Sequence, residues 1–186
     1  MNKIVVEKYN PNWKIEFEKA KIFYMNLLSK IKIKVEHVGS TSVEGLWAKP
    51  ILDIDIIVNS TKESKMVIEL LESVDYVHLG DLGLEGREAF KYEKNNQYIK
   101  WMDHHLYVCI EDCDNLRNHL LIRNHLRNNK ESAVAYSKLK RELAEKFPND
   151  IDSYIDGKTE LLTEILKQEG MVNEEIEKIE LINKID

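Results

Sequence analysis

Two aspartates inside an apolar run constrain this chain more than any other feature. The segment from Leu52 to Val58 reads LDIDIIV, so Asp53 and Asp55 alternate with large apolar residues. In a strand, successive side chains point to opposite faces of the sheet, which brings both carboxylates to the same face. Two neighbouring carboxylates that are partly removed from water repel each other unless a cation neutralises them. The pattern therefore predicts a strand that holds a cation.

Magnesium suits such a pair, because it prefers oxygen ligands and uses one or two carboxylates together with substrate phosphates. We therefore expect Asp53 and Asp55 to hold Mg²⁺ or Mn²⁺. A turn of small residues that precedes the strand is suited to phosphate oxygens, and it consists of Gly39, Ser40, Thr41 and Ser42. Two other interpretations stay open at this point: the aspartates lie at an exposed sheet edge, or the turn caps a helix and binds no ligand.

The order of these motifs resembles that of the polymerase-β-like nucleotidyltransferases, in which a Gly-Ser turn holds phosphates and an Asp-x-Asp strand holds metal. Within that group, the segment EHVGSTSVEGLWAKPILDI, residues 36–54, is similar to a block of the GrpB-like family. Further matches follow in the order expected for the family, and the resemblance covers about residues 5 to 168. These matches are Arg87, Phe90, His104, His105, Leu106, His119, Leu120, Arg123, Leu126, Tyr154 and Lys158.

The resemblance implies an α+β fold, a nucleotidyltransferase-like mixed sheet flanked by helices with a C-terminal helical cap. Lys49, Arg87 and Lys158 are the basic residues expected to contact phosphates, with a surface ion pair as the alternative for Arg87. His104 and His105 face opposite sides of a strand, so one of them enters the site. The resemblance selects His105 as the catalytic base and leaves His104 for packing.

One departure from the family pattern weakens the prediction of catalysis. Related sequences commonly have a histidine where this chain has Tyr107, and many active nucleotidyltransferases place a third carboxylate beside the aspartate pair. No third acid is evident on the strand that contains His105. If His105 lies far from the aspartates, a role in nucleotide binding gains weight over catalysis.

Hydrophobic periodicity places the remaining elements. It predicts a helix at 13–31, strands at 34–38 and 53–59, a helix at 62–73 capped by Thr61, strands at 87–93 and 100–110, and three helices from residue 114. Residues 1–170 form one nucleotidyltransferase-like domain whose helical cap begins at about residue 114. Residues 171–186 are a charged amphipathic tail, either a marginal helix or a docking segment.

Composition and net charge argue against two classes of partner, nucleic acids bound nonspecifically and membranes. A net charge of −6 argues against a protein that binds nucleic acid nonspecifically, and neither a secretory signal nor a membrane-spanning run is evident. We therefore expect a cytoplasmic protein that does not enter membranes. Cys109 and Cys113 are expected to be reduced thiols.

Three functions remain open. The first is a metal-dependent nucleotidyltransferase that moves a nucleoside monophosphate from an NTP to an unidentified small-molecule or macromolecular acceptor. The second is a non-catalytic regulatory module that binds a nucleotide or phosphometabolite. The third is a zinc hydrolase that uses His37, His104, His105 and Cys109. The sequence leaves open the nucleobase, the acceptor and the oligomeric state.

Overall fold

The computed structural model describes residues 3–183, and over that range it contains one five-stranded sheet and six α-helices. The strands are β1 (Lys34–Val38), β2 (Leu52–Val58), β3 (Tyr76–Gly80), β4 (Arg87–Tyr92) and β5 (His104–Ile110). The helices are α1 (Asn12–Leu27), α2 (Thr61–Glu72), α3 (Asp114–Asn128), α4 (Lys130–Lys146), α5 (Ile151–Gln168) and α6 (Asn173–Asn183). A 3₁₀ turn, Ser40–Ser42, follows β1.

The sheet is mixed. Its strand order is β1-β2-β5-β4-β3, with β2 parallel to β5 and the other neighbouring pairs antiparallel. Because β2 has hydrogen-bonded strands on both sides, the alternative that Asp53 and Asp55 lie at an exposed sheet edge is wrong. The predicted α+β class, a mixed sheet flanked by helices with a C-terminal helical cap, is confirmed.

One face of the sheet supports the main apolar core. Leu52, Ile54 and Ile56, which are every second residue of β2, point to this face and are fully buried there, as the sequence pattern predicts. Helices α1 and α2 cover this face with side chains such as Tyr24 and Leu71. Full burial of one large aliphatic side chain contributes about 1.5–3 kcal/mol, so this face fixes the register of β2.

The opposite face carries the polar residues of β2 and meets the helical cap. Helix α3 packs against β1 and β5, and α4 and α5 pack against α3. Leu46, Leu126 and Ile165 form a smaller apolar cluster between the connection before β2 and the cap. The two faces of β2 therefore differ: one packs in the main apolar core, and the other, polar face is available for a site.

Several predicted boundaries require correction. Strand β3 is missing from the predicted elements, because its sequence, YVHLG, is short and has weak alternation. Strand β5 begins at His104 and not at residue 100, and α1 ends at Leu27 because the chain turns at Ser29. The residue that caps α2 is Ser60, whose hydroxyl accepts a hydrogen bond from the Glu63 amide, and not Thr61.

The C-terminal segment contains α6, whose Ile176 is buried together with Met171 and Leu166 of α5. The predicted tail, 171–186, extends beyond the described residues, so its last three residues lie outside the structure's description. Both cysteines are free thiols, as expected. Among the described residues, every helix is too short or too polar to cross a membrane.

Candidate functional site

A cavity of about 390 Å³ lies between the polar face of β2 and the helical cap. We call it the aspartate cavity. The β1–β2 connection, β5 and all three helices α3, α4 and α5 contribute to its wall. Its polar lining residues are Gly39, Ser40, Lys49, Asp53, His105, Tyr107, His119, Arg123, Tyr136, Lys140, Tyr154 and Lys158.

The two aspartates each contact a histidine. Asp53 Oδ1 lies 2.8 Å from His105 Nδ1, which the parallel register of β2 and β5 places directly opposite it. Asp55 Oδ2 lies 2.8 Å from His119 Nδ1 on α3. Asp55 is fully buried, whereas the Asp53 and His105 side chains are 30% and 49% exposed. The two pairs thus form an outer, accessible dyad and an inner, shielded one.

These contacts shift the pKa values of His119 and Asp53. Burial alone favours neutral His119, but the charge of Asp55 and the hydrogen bond to it raise the pKa of His119 above its usual value. Burial also opposes ionisation of Asp53, yet the hydrogen bond and charge of His105 lower the pKa of this carboxyl. The contact of His105 with Asp53 is made through Nδ1, so Nε2 is the ring nitrogen that remains for a contact with a substrate.

The donor set of the aspartates fits a hard divalent cation. Asp55 Oδ1 is shielded from solvent and has no hydrogen-bond partner among residues 3–183. A buried carboxylate oxygen without a partner is costly, and a cation would satisfy it. No cluster of three or more acidic, histidine or cysteine ligands occurs in the described part of the chain. Water and substrate phosphates would therefore complete the coordination, as is usual for Mg²⁺.

A third carboxylate does lie on the same face, on a strand other than the one considered from the sequence. Glu36 of β1 is directly opposite Asp55 in the antiparallel register. Its Oε2 accepts a hydrogen bond of 2.6 Å from Arg123 Nη1, and the same guanidinium nitrogen donates to the His37 carbonyl. Glu36 is thus engaged by an arginine.

Gly39 allows the turn after β1 to approach β2. Its φ of +65° lies in the left-handed region that favours glycine, and a Cβ built there would lie 2.0 Å from Asp53 Oδ2. Any larger residue would displace the Asp53 side chain. This close approach is the structural reason for glycine at the position where the sequence predicts a phosphate-binding turn.

Three lysines face the same cavity. Lys49 precedes β2, Lys140 comes from α4 and Lys158 comes from α5. None of the three forms an ion pair with a carboxylate within the described residues. Lys140 is 2% exposed, and its Nζ donates a 2.9 Å hydrogen bond to Ser40 Oγ. A cluster of lysines without carboxylate partners among the described side chains has the charge that an anion-binding site requires.

Aromatic rings hold the lysines in place. The ammonium groups of Lys49 and Lys158 lie 5.6 and 4.7 Å from the ring centroid of Tyr154, and that of Lys140 lies 4.3 Å from Tyr136. Burial, followed by repulsion from Lys158, lowers the pKa of Lys140 to about 7. Burial, followed by repulsion from Lys49, lowers the pKa of Lys158 to about 8. Each lysine would regain its proton next to an anion.

The structure brings together most of the predicted site residues, but four of them do not line the aspartate cavity. Asp55 is fully buried, and the other three are Thr41, Ser42 and Arg87. Thr41 is buried and hydrogen-bonded to His37, and the Ser42 hydroxyl donates to the Gly39 carbonyl, so neither side chain lines the aspartate cavity. Arg87 lines a neighbouring cavity and stacks at 4.8 Å on the ring of Tyr107. The alternative surface ion pair of Arg87 with a glutamate is absent from the described residues.

The residues of the zinc hypothesis are not assembled. His37 stacks on Phe17 on the core face of the sheet. His104 lies on that face too, where it stacks on Tyr92 and contacts Tyr76 through Nε2 at 2.7 Å, a packing role as expected. His105 and Cys109 point to the other face. A shared zinc ion is therefore incompatible with this sheet.

Sequence reasoning missed two residues of the cavity as site candidates. His119 is one of the residues that match the family, but no local pattern links it to Asp55, because their contact is a tertiary one. Lys140 was overlooked, although a signal existed. It falls four residues after Tyr136 and three before Leu143, so it interrupts an apolar helical stripe with a charge, as the aspartates interrupt the apolar strand.

Comparison with known proteins identifies relatives over nearly the whole chain. A family model described as "GrpB protein" matches residues 3–168. "Glutamate-rich protein GrpB" of Alkalihalophilus pseudofirmus is 32% identical over 167 residues, which cover 89% of this chain and 95% of that protein. The crystal structure of conserved protein GrpB from Enterococcus faecalis is 32% identical, with a TM-score of 0.76 and coverage of 94% of this chain and 98% of that one.

More distant structural similarity extends to a nucleotidyltransferase. The Cid1 poly(U) polymerase, in a structure described as MgGTP-bound, has a TM-score of 0.51 at 14% identity. The match covers 75% of this chain and 44% of that one. At such low identity the comparison establishes the fold alone: the sheet and its flanking helices have the nucleotidyltransferase arrangement.

Proposed function

Because this chain belongs to the GrpB family and has the nucleotidyltransferase fold, we propose that it transfers a nucleoside monophosphate from an NTP to an acceptor hydroxyl. One observation carries the proposal. Asp53 and three lysines, none of which has a carboxylate partner among the described side chains, line a single cavity. Asp55 lies two residues further along β2 on the same face and is fully buried. Carboxylates for a divalent cation and cations for a polyphosphate are the two sets of groups that a metal–NTP complex requires.

In this proposal, the triphosphate lies along Gly39 and Ser40 and its negative charge is met by Lys49, Lys140 and Lys158. These lysines come from three separate elements, so they can contact different phosphates. Arg87 is no longer assigned to the triphosphate, since it lines the neighbouring cavity. Thr41 and Ser42 support the turn through their hydrogen bonds and make no direct phosphate contact through their side chains.

Asp53 and Asp55 are the residues that would hold Mg²⁺ or Mn²⁺. When bound, the cation neutralises the carboxylate pair and polarises the phosphoryl oxygens. Fixed charges aimed at the site where charge develops stabilise the transition state without later rearrangement. Here those charges are the lysine ammonium groups.

His105 is the proton acceptor in this mechanism. The acceptor oxygen forms a bond to the α-phosphorus, and the bond from that phosphorus to the oxygen of the β-phosphate breaks. Pyrophosphate leaves with the bonding electron pair, and the hydroxyl proton passes to His105 Nε2. The Asp53 contact supports this assignment because it orients the ring and stabilises the imidazolium that forms.

A regulatory module that binds a nucleotide or phosphometabolite without turnover is the second candidate. The observation that favours it is the pairing of both aspartates with histidines, together with the engagement of Glu36 by Arg123. These contacts relieve part of the repulsion that a cation would otherwise relieve. The same cavity then holds a phosphate-bearing ligand but lacks a third free carboxylate.

Incubation with an NTP labelled at the α-phosphate, Mg²⁺ and a cell extract tests the two candidates. Transfer of label to any acceptor, with loss in Asp53→Asn, supports the transferase. The exposed Asp156→Asn is the control and should transfer label normally. Tight NTP binding without transfer to any fraction of the extract supports the regulatory module and contradicts the transferase.

A further inference from the structure

A second cavity of about 480 Å³ lies beside the aspartate cavity. It is bounded by the loop between β3 and β4, the first two turns of α3, the C-terminal part of α5, and α6. Its polar lining residues on the sheet and α3 are Arg87, Asp114, Asn115, Asn118 and His119. His119, Ile122 and Leu162 line both cavities, so the two spaces share a wall.

Three residues that line this second cavity each have a buried polar atom that has no hydrogen-bond partner among the described side chains. Arg87 is 8% exposed, and its Nε has no hydrogen-bond partner among the side chains that the structure describes. The same holds for Oδ1 of Asn115 and Oδ1 of Asn118, both shielded from solvent. A polar atom removed from water costs free energy unless it is hydrogen-bonded, so such atoms are rare in folded proteins. The three atoms belong to residues of one cavity wall, and a ligand that reached them would satisfy them.

We propose that the second cavity binds the acceptor of the transfer reaction, and that this acceptor is a small molecule that carries a hydroxyl group. The proposal rests on the function proposed above. Arg87 Nε donates to the acceptor molecule, and the two asparagine amides exchange hydrogen bonds with its polar groups. His105 lines only the aspartate cavity, so the hydroxyl group of the bound molecule extends past His119 and Ile122, which line both cavities, to reach the α-phosphate.

Size and charge favour a small molecule over a polynucleotide. The volume falls within the range of about 300–1,000 Å³ that is typical of small-molecule sites. Carboxylates of Glu85, Asp114 and Glu175 also line this cavity, and they would repel a phosphate backbone. Apolar side chains such as Leu166 and Met171 complete the lining and suit a carbon skeleton.

Helix α6 gives this chain a particular selectivity for its acceptor. The helix contributes Glu175 and Ile179 to the cavity wall and begins after residue 168, where the match to the family model ends. Glu175 is held by a 2.9 Å hydrogen bond from Arg117 of α3. The wall that α6 forms therefore lies outside the segment that the family model describes, and it limits what the cavity admits.

Equilibrium dialysis against the dialysable fraction of a cell extract, read out by mass spectrometry, tests the proposal. The variant is Asn118→Leu, which replaces an unpartnered buried amide with an apolar group of similar size. Its matched control is Asn128→Leu, an exposed position on the same helix. Asp53→Asn is included because it disables the aspartate cavity and leaves the second one intact.

The proposal expects wild type, Asp53→Asn and Asn128→Leu to retain the same hydroxyl compound, and Asn118→Leu to retain it at least about tenfold less. Asn118→Leu should still bind an NTP with Mg²⁺ as wild type does and should be as stable or more stable. Equal retention by Asn118→Leu, or no retained compound in wild type, overturns the proposal.

A second measurement separates this proposal from the proposed function. Label from the α-phosphate should appear in the dialysable fraction of the extract, and its appearance in RNA alone overturns the small-molecule acceptor. Retention of a compound by a protein that binds no NTP overturns the nucleotidyl transfer, and with it the acceptor role. Retention together with transfer of label to the retained compound supports both.

Discussion

At the scale of single residues, each aspartate of the site is paired with one histidine. Asp55 is fully buried and is matched by His119, while Asp53 is matched by His105 at the cavity surface. Asp55 Oδ1 nevertheless has no partner among the side chains that the structure describes. Each histidine therefore contacts one oxygen of its aspartate. The other oxygen of Asp55, which has no partner among the described side chains, is the strongest local argument for a cation.

The Asp55–His119 pair predicts a pH-dependent stability. Because the folded-state pKa of His119 is raised, the pair stabilises the fold fully below the unfolded value of about 6.5 and loses this contribution as pH rises through the folded value. Asp55→Asn should thus cost about 1–3 kcal/mol near pH 6 and less near pH 9. Chemical denaturation in the presence of EDTA measures both values. A cost that grows with pH would contradict the assignment.

Lys140 should contribute to ligand binding and not to stability. Lys140→Met keeps the volume of the stem and removes a charge that burial disfavours, so stability should be unchanged or higher. NTP affinity should fall at least about tenfold. Lys138→Met, at an exposed position on the same helix, is the control and should bind normally. Normal NTP affinity in Lys140→Met would remove this residue from the site.

The same lysine predicts proton uptake on binding. With a pKa of about 7, Lys140 is mostly neutral at about pH 8 in the free protein, and a neighbouring phosphate favours its charged form. NTP binding at about pH 8 should therefore draw protons from the buffer. Binding heats in two buffers with different ionisation enthalpies measure the uptake, which should be smaller in Lys140→Met. Identical binding heats in the two buffers would contradict proton uptake on NTP binding.

At the scale of elements, the unit formed by β1, its turn and β2 positions the chemistry. Gly39→Ala should displace Asp53 and abolish metal-dependent NTP binding, because the new Cβ would overlap its carboxylate. Gly45→Ala is a matched control, since Gly45 has a similar positive φ of +81° but open space around its Cβ position. Both variants should lose about 1–2 kcal/mol of stability from backbone strain, yet only Gly39→Ala should lose binding. Equal affinities in the two would contradict the close approach.

Elements with a strong local signal were predictable from the sequence, and those fixed by tertiary contacts were not. Alternation in β2 predicted its two faces, and the positions of His104 and His105 on opposite faces of β5 followed from the same rule. Strand β3 carries weak alternation, and its pairing with β4 supplies what its sequence lacks. The contacts of His119 with Asp55 and of Lys140 with Ser40 span 64 and 100 residues, so no local pattern encodes them.

At the scale of the whole molecule, an acidic protein concentrates positive charge in one place. The chain carries a net charge of −6, yet three lysines without carboxylate partners face the aspartate cavity. The helical cap makes this possible, because α4 and α5 bring Lys140 and Lys158 over the sheet. Three residues of the cap, His119, Ile122 and Leu162, also line the second cavity. One sheet face thus anchors the fold, and the other, closed by the cap, holds the proposed reaction.

Calorimetric titration of a non-hydrolysable NTP is the measurement that tests the central claim most directly. Wild type should bind the nucleotide with Mg²⁺ and lose most of that affinity in EDTA. Asp53→Asn should remain folded and fail to bind in either condition, while Asp156→Asn should match wild type. Wild type that does not bind the nucleotide with Mg²⁺, or Asp53→Asn that binds it as tightly as wild type, would contradict a metal–nucleotide site at the aspartate cavity.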